Sequence, residues 1–150
     1  MSAYGSIAIV VVGLIGTVGA SAQSVMDTDA ANCLFSNTAT EAIESCSKVI
    51  TKGIPEKQGV ARMYRGKSYL RLAAYRAAAD DFEVVLKTNP KLAFALYGHG
   101  VALLHLGEVA KGKAEIARAS ASKPDISDEF AEYGIPAPAY LKAPKAIKPR

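Results

Sequence analysis

Two stretches of this sequence carry one pattern: residues 64–90 read YRGKSYLRLAAYRAAADDFEVVLKTNP, and residues 98–124 read GHGVALLHLGEVAKGKAEIARASASKP. Five positions recur 34 residues apart with their size and character kept. These pairs are Gly66 and Gly100, Leu72 and Leu106, Ala78 and Gly112, Phe82 and Ile116, and Pro90 and Pro124. A repeat of this length indicates an array of similar supersecondary units.

Each unit divides into two helical stretches. Apolar residues recur three and four positions apart, as in Ala78, Phe82 and Val85, which is the period of an α-helix. The prolines at 90 and 124 close the units because proline cannot continue a preceding helix. The pattern predicts helices over 57–73 and 75–87, then over 92–106 and 109–120. The breaks within each pair are so short that the two helices must be antiparallel neighbours.

Two glycines fall in the middle of predicted helices. Gly66 and Gly100 each cost about 0.5–1 kcal/mol relative to alanine at such a position. A recurring cost indicates a recurring benefit. We expect the facing helix to approach closely at both, with Ala78 and Gly112 supplying the matching small surface.

These residues resemble the helix-turn-helix signature of the tetratricopeptide repeat family. The first copy matches its signature positions at Gly66, Tyr69, Tyr75, Ala78, Phe82 and Pro90, and the second at Gly100, Leu106, Gly107, Ala119 and Pro124. Leu103 replaces a tyrosine, and Gly112 an alanine. The resemblance covers residues 57–124. It implies an all-α, right-handed solenoid of about three antiparallel helix hairpins plus a C-terminal capping helix, with protein binding as its usual work.

The flanks extend the array. Residues 41–50 resemble the second helix of a unit, and residues 27–36 then form a short first helix. Thr38 and Glu41 have the spacing of a capping box that starts the second of these. At the other end, Asp125 is placed to cap a last helix over 126–133, which shields the edge of the core.

The first hairpin holds both cysteines, Cys33 and Cys46. An even number of cysteines in an exported chain favours a bridge, and a bridge here ties the hairpin shut. The alternative is two buried thiols that act as small hydrophobes.

The first 22 residues carry no charged side chain and end in Ala20, Ser21 and Ala22, a small-x-small cleavage pattern. The apolar core of this segment is shorter than the roughly 20 residues that span a bilayer. We therefore predict a signal peptide over 1–22 and export to the periplasm or cell envelope, with no integral membrane span after cleavage. An uncleaved N-terminal membrane anchor and a buried core helix are the alternatives.

The excess of positive charge in the chain lies at its C-terminal end. Residues 23–133 form the predicted repeat domain and balance 14 basic against 14 acidic side chains; residues 134–150 add Lys142, Lys145, Lys148 and Arg150 without an acid, which gives the net +4. We expect a basic, proline-rich disordered tail over 134–150. A solvated tail and a weak contact with an acidic surface both explain it, and no nucleic-acid partner is predicted.

The resemblance also implies where a partner binds, because the first helices of successive units line a concave inner face in that family. By position this face includes Met63, Lys67, Leu70, Arg71, Phe94, Tyr97, Val101, Leu104 and His105. An apolar and aromatic strip beside two cations suits a peptide that bears acidic residues. The family's polar grips for a C-terminal carboxylate are not reproduced, since Met63 and Gly98 stand at those positions.

Catalysis finds little support. His99 and His105 are six residues apart and lie on different helical faces, and we expect each to be a satisfied surface or core histidine. Asp80 and Asp81 are adjacent, as are Asp128 and Glu129, so neither pair can face itself across a substrate; solvated helix surface accounts for them. No recognised catalytic, metal or cofactor motif is present. We predict no enzyme activity, no cofactor and no metal.

The leading hypothesis is an exported binding module that docks a protein or peptide on its repeat surface. The alternative is an assembly factor of the cell envelope that acts by self-association. The sequence leaves the oligomeric state open.

Overall fold

The structure, a computed structural model, describes residues 28–53 and 55–141. Over these residues the protein is all-α, with seven α-helices, one 3₁₀ turn and no strand. The helices are α1 (28–35), α2 (Ala39–Lys52), α3 (Pro55–Arg71), α4 (Tyr75–Thr88), α5 (Ala93–His105), α6 (Val109–Ser122) and α7 (Ile126–Glu132), and the 3₁₀ turn is Ala139–Leu141. The predicted signal segment, 1–22, lies outside the described residues.

Each helix from α2 to α6 packs against the next one along the chain. In addition, α3 contacts α5, and α7 contacts both α5 and α6. Only three residues join α3 to α4 and α5 to α6, so these pairs are hairpins, as the sequence pattern predicts. The helix bounds agree with the predicted ones to within about two residues, which is the usual scatter of helix ends.

The two hairpins share their boundaries at the interval of the sequence repeat. The ends of α3 and α5, the starts of α4 and α6, and the ends of α4 and α6 are each 34 positions apart. Their turns also match. Ala73 (φ 56°) and Gly107 (φ 86°) both take the left-handed conformation. The amide after each donates back across the turn over 2.9 Å, from Ala74 to Tyr69 and from Glu108 to Leu103, as in a Schellman motif.

The repeated glycines work differently in the two hairpins. At Gly100 an added Cβ would lie 2.8 Å from the carbonyl oxygen of Gly112, so α5 and α6 approach there through their main chains, as predicted. At Gly66 the neighbour is the ring of Phe82, 3.0 Å from an added Cβ, rather than the small surface of Ala78 that we expected. Phe82 is fully buried, and this large ring fills the space that glycine leaves.

The first hairpin forms as the flanking pattern predicts. Thr38 caps α2 by accepting a hydrogen bond from the Glu41 amide at 3.2 Å. The reciprocal half of the capping box is absent among the described residues, because Ser36 takes both partners: its hydroxyl accepts from the Thr38 amide and donates to the Glu41 carboxylate. Cys33 and Cys46 form a disulfide between α1 and α2 and, with Val49 and Ala61, make up a small second core cluster.

The last helix, α7, begins after Asp125 as expected. Within the described residues, however, the Asp125 side chain makes no capping hydrogen bond, and its main-chain carbonyl accepts from the Glu129 amide instead. Ile135 is buried in the main core, which extends the ordered domain past residue 133, where we placed its end. The remainder of the predicted tail, 142–150, lies outside the described residues.

Candidate functional site

The nine residues predicted to line the inner face divide into three groups by exposure. Leu70, Tyr97 and Val101 are core residues, buried to 6%, 0% and 3% exposure. Their side chains already pack inside the protein. They are therefore not available to a partner, contrary to our expectation. Lys67 is also buried, whereas Met63, Phe94 and Leu104 are half-buried and Arg71 and His105 are exposed.

The helix α7 covers part of this face. The ring of Phe130 lies 4.7 Å from the ring centroids of both Phe94 and Tyr97, tilted against each. Phe130 itself is fully buried. Tilted rings at this separation are a favourable arrangement for aromatic pairs. From the sequence we expected α7 to shield the edge of the core. We did not expect its side chains to pack on the predicted binding residues.

Lys67 lies between two tyrosines. Its Nζ atom is 3.8 Å from the ring centroid of Tyr133 and 4.4 Å from that of Tyr64, both within the range of a cation–π contact. Burial, and secondly the charge of Arg71, lower the pKa of Lys67 to about 8, while the charge of Glu129 acts in the opposite direction. Lys67 is therefore an internal contact that joins α3 to the end of α7 rather than a free basic side chain.

Arg71 remains open and borders a groove of about 520 Å³. The groove is lined by Ser36, Asn37, Arg71, Glu132, Tyr133 and Gly134. These residues come from the C-terminal ends of α1, α3 and α7 and the residues that follow α1 and α7, so the groove lies between the first, third and last helices. Arg71 is anchored by a long hydrogen bond, 3.4 Å, from Nη2 to the Asn37 carbonyl oxygen. A guanidinium beside main-chain and hydroxyl groups can bind a carboxylate or the carbonyls of an extended peptide.

The histidine predicted on the inner face, His105, packs against the start of α4 in the preceding hairpin. The ring of His105 stacks on that of Tyr75 at 4.0 Å, with an interplanar angle of 1°. His105 is exposed on its other side. It holds the position equivalent to Arg71, at the end of the first helix of the next hairpin.

Asp81 is not the solvated surface residue that we expected. It is 3% exposed and accepts hydrogen bonds from Arg65, at 2.7 Å from both Nε and Nη2, and from Arg62 at 3.1 Å. Arg65 also donates to Ser47 of α2, so this network ties three helices together. The bidentate hydrogen bonds to Asp81 raise the pKa of Arg65. Asp80, its neighbour in sequence, is exposed as predicted.

His99 is a buried, paired histidine. It is 4% exposed, and its Nδ1 atom lies 2.6 Å from the Glu115 carboxylate. Arg65 with Asp81 and His99 with Glu115 occupy positions 34 residues apart, a signal already in the sequence that we did not use. Both pairs bridge the two helices of a hairpin, which gives them a structural task.

Comparison with protein-family models, with curated proteins and with solved structures found no match to this chain. Over the residues that the structure describes, no helix has both the length and the apolar character needed to cross a bilayer.

Proposed function

We propose that this chain is an exported binding protein of the tetratricopeptide type that docks a polypeptide in the groove around Arg71. The observation that carries the proposal is the groove itself. It is the part of the predicted inner face that leaves a cation exposed, whereas much of the remainder is core or lies under α7.

Three features support the repeat architecture on which this rests. The helix bounds, the left-handed turn residues and the polar pairs between the two helices all recur 34 positions apart. A single residue pattern can arise by chance, but here the backbone geometry and the side-chain pairing recur together. A right-handed solenoid of about three hairpins, closed by α7, is the arrangement we propose for them.

Export is supported by the disulfide between Cys33 and Cys46, because disulfides persist mainly in oxidising compartments. The periplasm or the wider cell envelope is therefore the proposed location. The partner is proposed to present acidic or carboxylate groups to Arg71, which is the exposed one of the two cations predicted on the inner face.

The experiment is capture of proteins from an envelope extract on the immobilised chain. We expect Arg71→Glu to abolish capture of a specific partner, because it reverses the positive charge that the groove offers to an acidic group and leaves a second carboxylate beside Glu132, which also lines the groove. The matched control is Arg76→Glu, at an arginine of α4 that is also exposed, and it is expected to retain capture. Equal capture by both variants would contradict a binding site at Arg71. Lys67 is left unchanged because it is buried.

Self-association is the second candidate, and exposed apolar side chains favour it. Phe35, at the end of α1, is 79% exposed, and Leu72 in the α3–α4 turn is 53% exposed. An exposed phenylalanine of this kind is a common anchor at protein interfaces. A concentration-dependent oligomer in light scattering that Phe35→Ser converts to monomer would favour this function over the adaptor.

A further inference from the structure

The helix α7 and Tyr133, which follows it, cover the inner face in the way that a bound peptide helix does. Ile126 and Phe130 are fully buried, and Tyr133 covers Lys67. These three residues stand at positions i, i+4 and i+7, the spacing by which an amphipathic helix places its anchors in a groove. The opposite side of α7 is exposed at Asp128 and Ala131. One face of a short helix thus makes the contacts of a docked peptide.

The surface beneath α7 defines what it recognises. Phe94 and Tyr97 receive the ring of Phe130, and Lys67 receives the ring of Tyr133. The carboxylate of Glu129 adds an attractive charge at Lys67. The surface therefore recognises two aromatic side chains three residues apart, with an acid beside the first.

The helix α7 has little stability of its own. It contains seven residues, and isolated helices shorter than about 12–15 residues are marginal in water. Its N-cap residue, Asp125, makes no side-chain capping hydrogen bond in the described structure. Pro124 separates it from α6. What holds α7 in place is therefore its tertiary contacts: its packing against α5 and α6 and the hydrogen bond that Lys123 donates to Glu129. A competing segment with the same apolar anchors and the same acid can replace them.

We infer that α7 occupies, within its own chain, a docking site for a short amphipathic helix of a partner that carries two aromatic residues three apart and an adjacent acid. This inference rests on the proposed function and names the class of partner. The partner's helix displaces α7 and binds Phe94, Tyr97 and Lys67 in its place. Ser36, Asn37 and Arg71 keep their side of the groove, and the partner's helix takes over the side that the end of α7 lines in the free protein.

The test uses the full chain and a fluorescent synthetic peptide with the sequence of residues 123–135, KPDISDEFAEYGI. Binding is followed by fluorescence anisotropy. Weakening the tethered helix must strengthen binding of the free peptide, because the two compete for one surface. We expect Tyr133→Ala in the chain to raise the peptide's affinity about fivefold, since one cation–π contact is lost. Phe130→Ala is expected to raise it by roughly 50-fold or more, since a buried ring is lost.

Two controls fix the interpretation. Ala131→Gln alters the exposed side of α7 with another good helix former and is expected to leave the peptide's affinity unchanged. A peptide with alanine in place of its phenylalanine is expected not to bind any variant. Unchanged affinity in both Tyr133→Ala and Phe130→Ala chains, with helical circular dichroism retained, would overturn the inference. So would a dimer of the unaltered chain that Phe130→Ala dissociates, because α7 would then be exchanged between two copies.

The outcome is separable from that of the capture experiment. If the peptide binds the weakened chains as expected while Arg71→Glu leaves capture from the envelope extract unchanged, the docking site under α7 stands and the groove at Arg71 fails. If capture depends on Arg71 but the peptide binds no variant, the proposed function stands and α7 is a fixed cap.

Discussion

His99 lies with its Nδ1 atom 2.6 Å from Oε2 of Glu115, at the place where Arg65 holds Asp81 one hairpin earlier. In each hairpin the basic group comes from the first helix and the acid from the second. The chemistry of the basic partner changes from guanidinium to imidazole, while the position is kept. The pair therefore holds a repeated position in the two hairpins and bridges their helices at the same level.

Removing the acid of the first pair is expected to destabilise the protein strongly. Asp81→Ala leaves Arg62 and Arg65 partly buried without their counterion, and breaking a buried pair from one side costs about 3 kcal/mol or more. Asp80→Ala, one position away on the exposed side of α4, is expected to change the free energy of unfolding by less than about 0.5 kcal/mol. Urea denaturation measures both. Equal midpoints for the two variants would show that the network contributes little.

The comparison of Asp80 with Asp81 also shows what the sequence can predict. Helix bounds and turns followed correctly from local signals: the spacing of apolar residues, Pro90, and Gly107 in its turn. Burial of Asp81 depends instead on where Arg65 of another helix lies, which is a tertiary fact. The same holds for Tyr97, whose cover, Phe130, is 33 residues away in the chain. Residues of the inner face were thus predicted by position, but their accessibility was not.

Two glycines in helices give a matched test of close packing. Gly100→Ala would place its Cβ 2.7 Å from a side-chain carbon of Ile116 and 2.8 Å from the Gly112 carbonyl oxygen, and we expect a loss of about 1–3 kcal/mol from overpacking. At Gly59 in α3, no heavy atom of the described residues lies within 4 Å of an added Cβ beyond the helix itself. Gly59→Ala should therefore stabilise by about 0.5–1 kcal/mol. Thermal unfolding measures both variants, and shifts of Tm with opposite signs would confirm the argument. A lower Tm for Gly59→Ala would refute it.

The turn between α3 and α4 carries a strained alanine. Ala73 has φ 56°, where a left-handed L-residue pays roughly 1 kcal/mol that glycine does not. The equivalent residue of the next hairpin is Gly107. We expect Ala73→Gly to raise the free energy of unfolding by about 0.5–1 kcal/mol, and Gly107→Ala to lower it by a similar amount. Chemical denaturation of the two variants checks this, and a destabilised Ala73→Gly chain would contradict it.

The disulfide is expected to contribute substantially to the first hairpin. Cys33 and Cys46 are 13 residues apart in the sequence. In the chain-entropy model, closing a loop of this length raises the free energy of unfolding by about 3 kcal/mol. The double variant Cys33→Ala/Cys46→Ala should lose roughly this amount, with hydrogen exchange accelerating first in α1 and α2, since their core cluster is small. Exchange that accelerates equally in α5 and α6 would show instead that the whole chain unfolds as one unit.

The lowered pKa of Lys67 predicts that the stability of the protein rises with pH over a defined range. Its pKa is about 8 in the folded protein against an ordinary value of 10.5. Between these values the unfolded chain binds more protons than the folded one, so the contribution of Lys67 to the free energy of unfolding rises with pH. Below about pH 8 both states carry the charge, and the folded protein bears the full cost of burying it.

Lys67→Met is therefore expected to remove this rise. Between pH 8 and 10 the unaltered chain should gain stability relative to the variant. Taking the difference cancels the titration of groups common to both chains. Lys111→Met, at an exposed position on α6, is expected to give a difference that stays flat. Urea denaturation at closely spaced pH values measures both. A flat difference for Lys67→Met as well would mean that the faces of Tyr64 and Tyr133 hold the ammonium charged, and that the cation–π contacts outweigh burial.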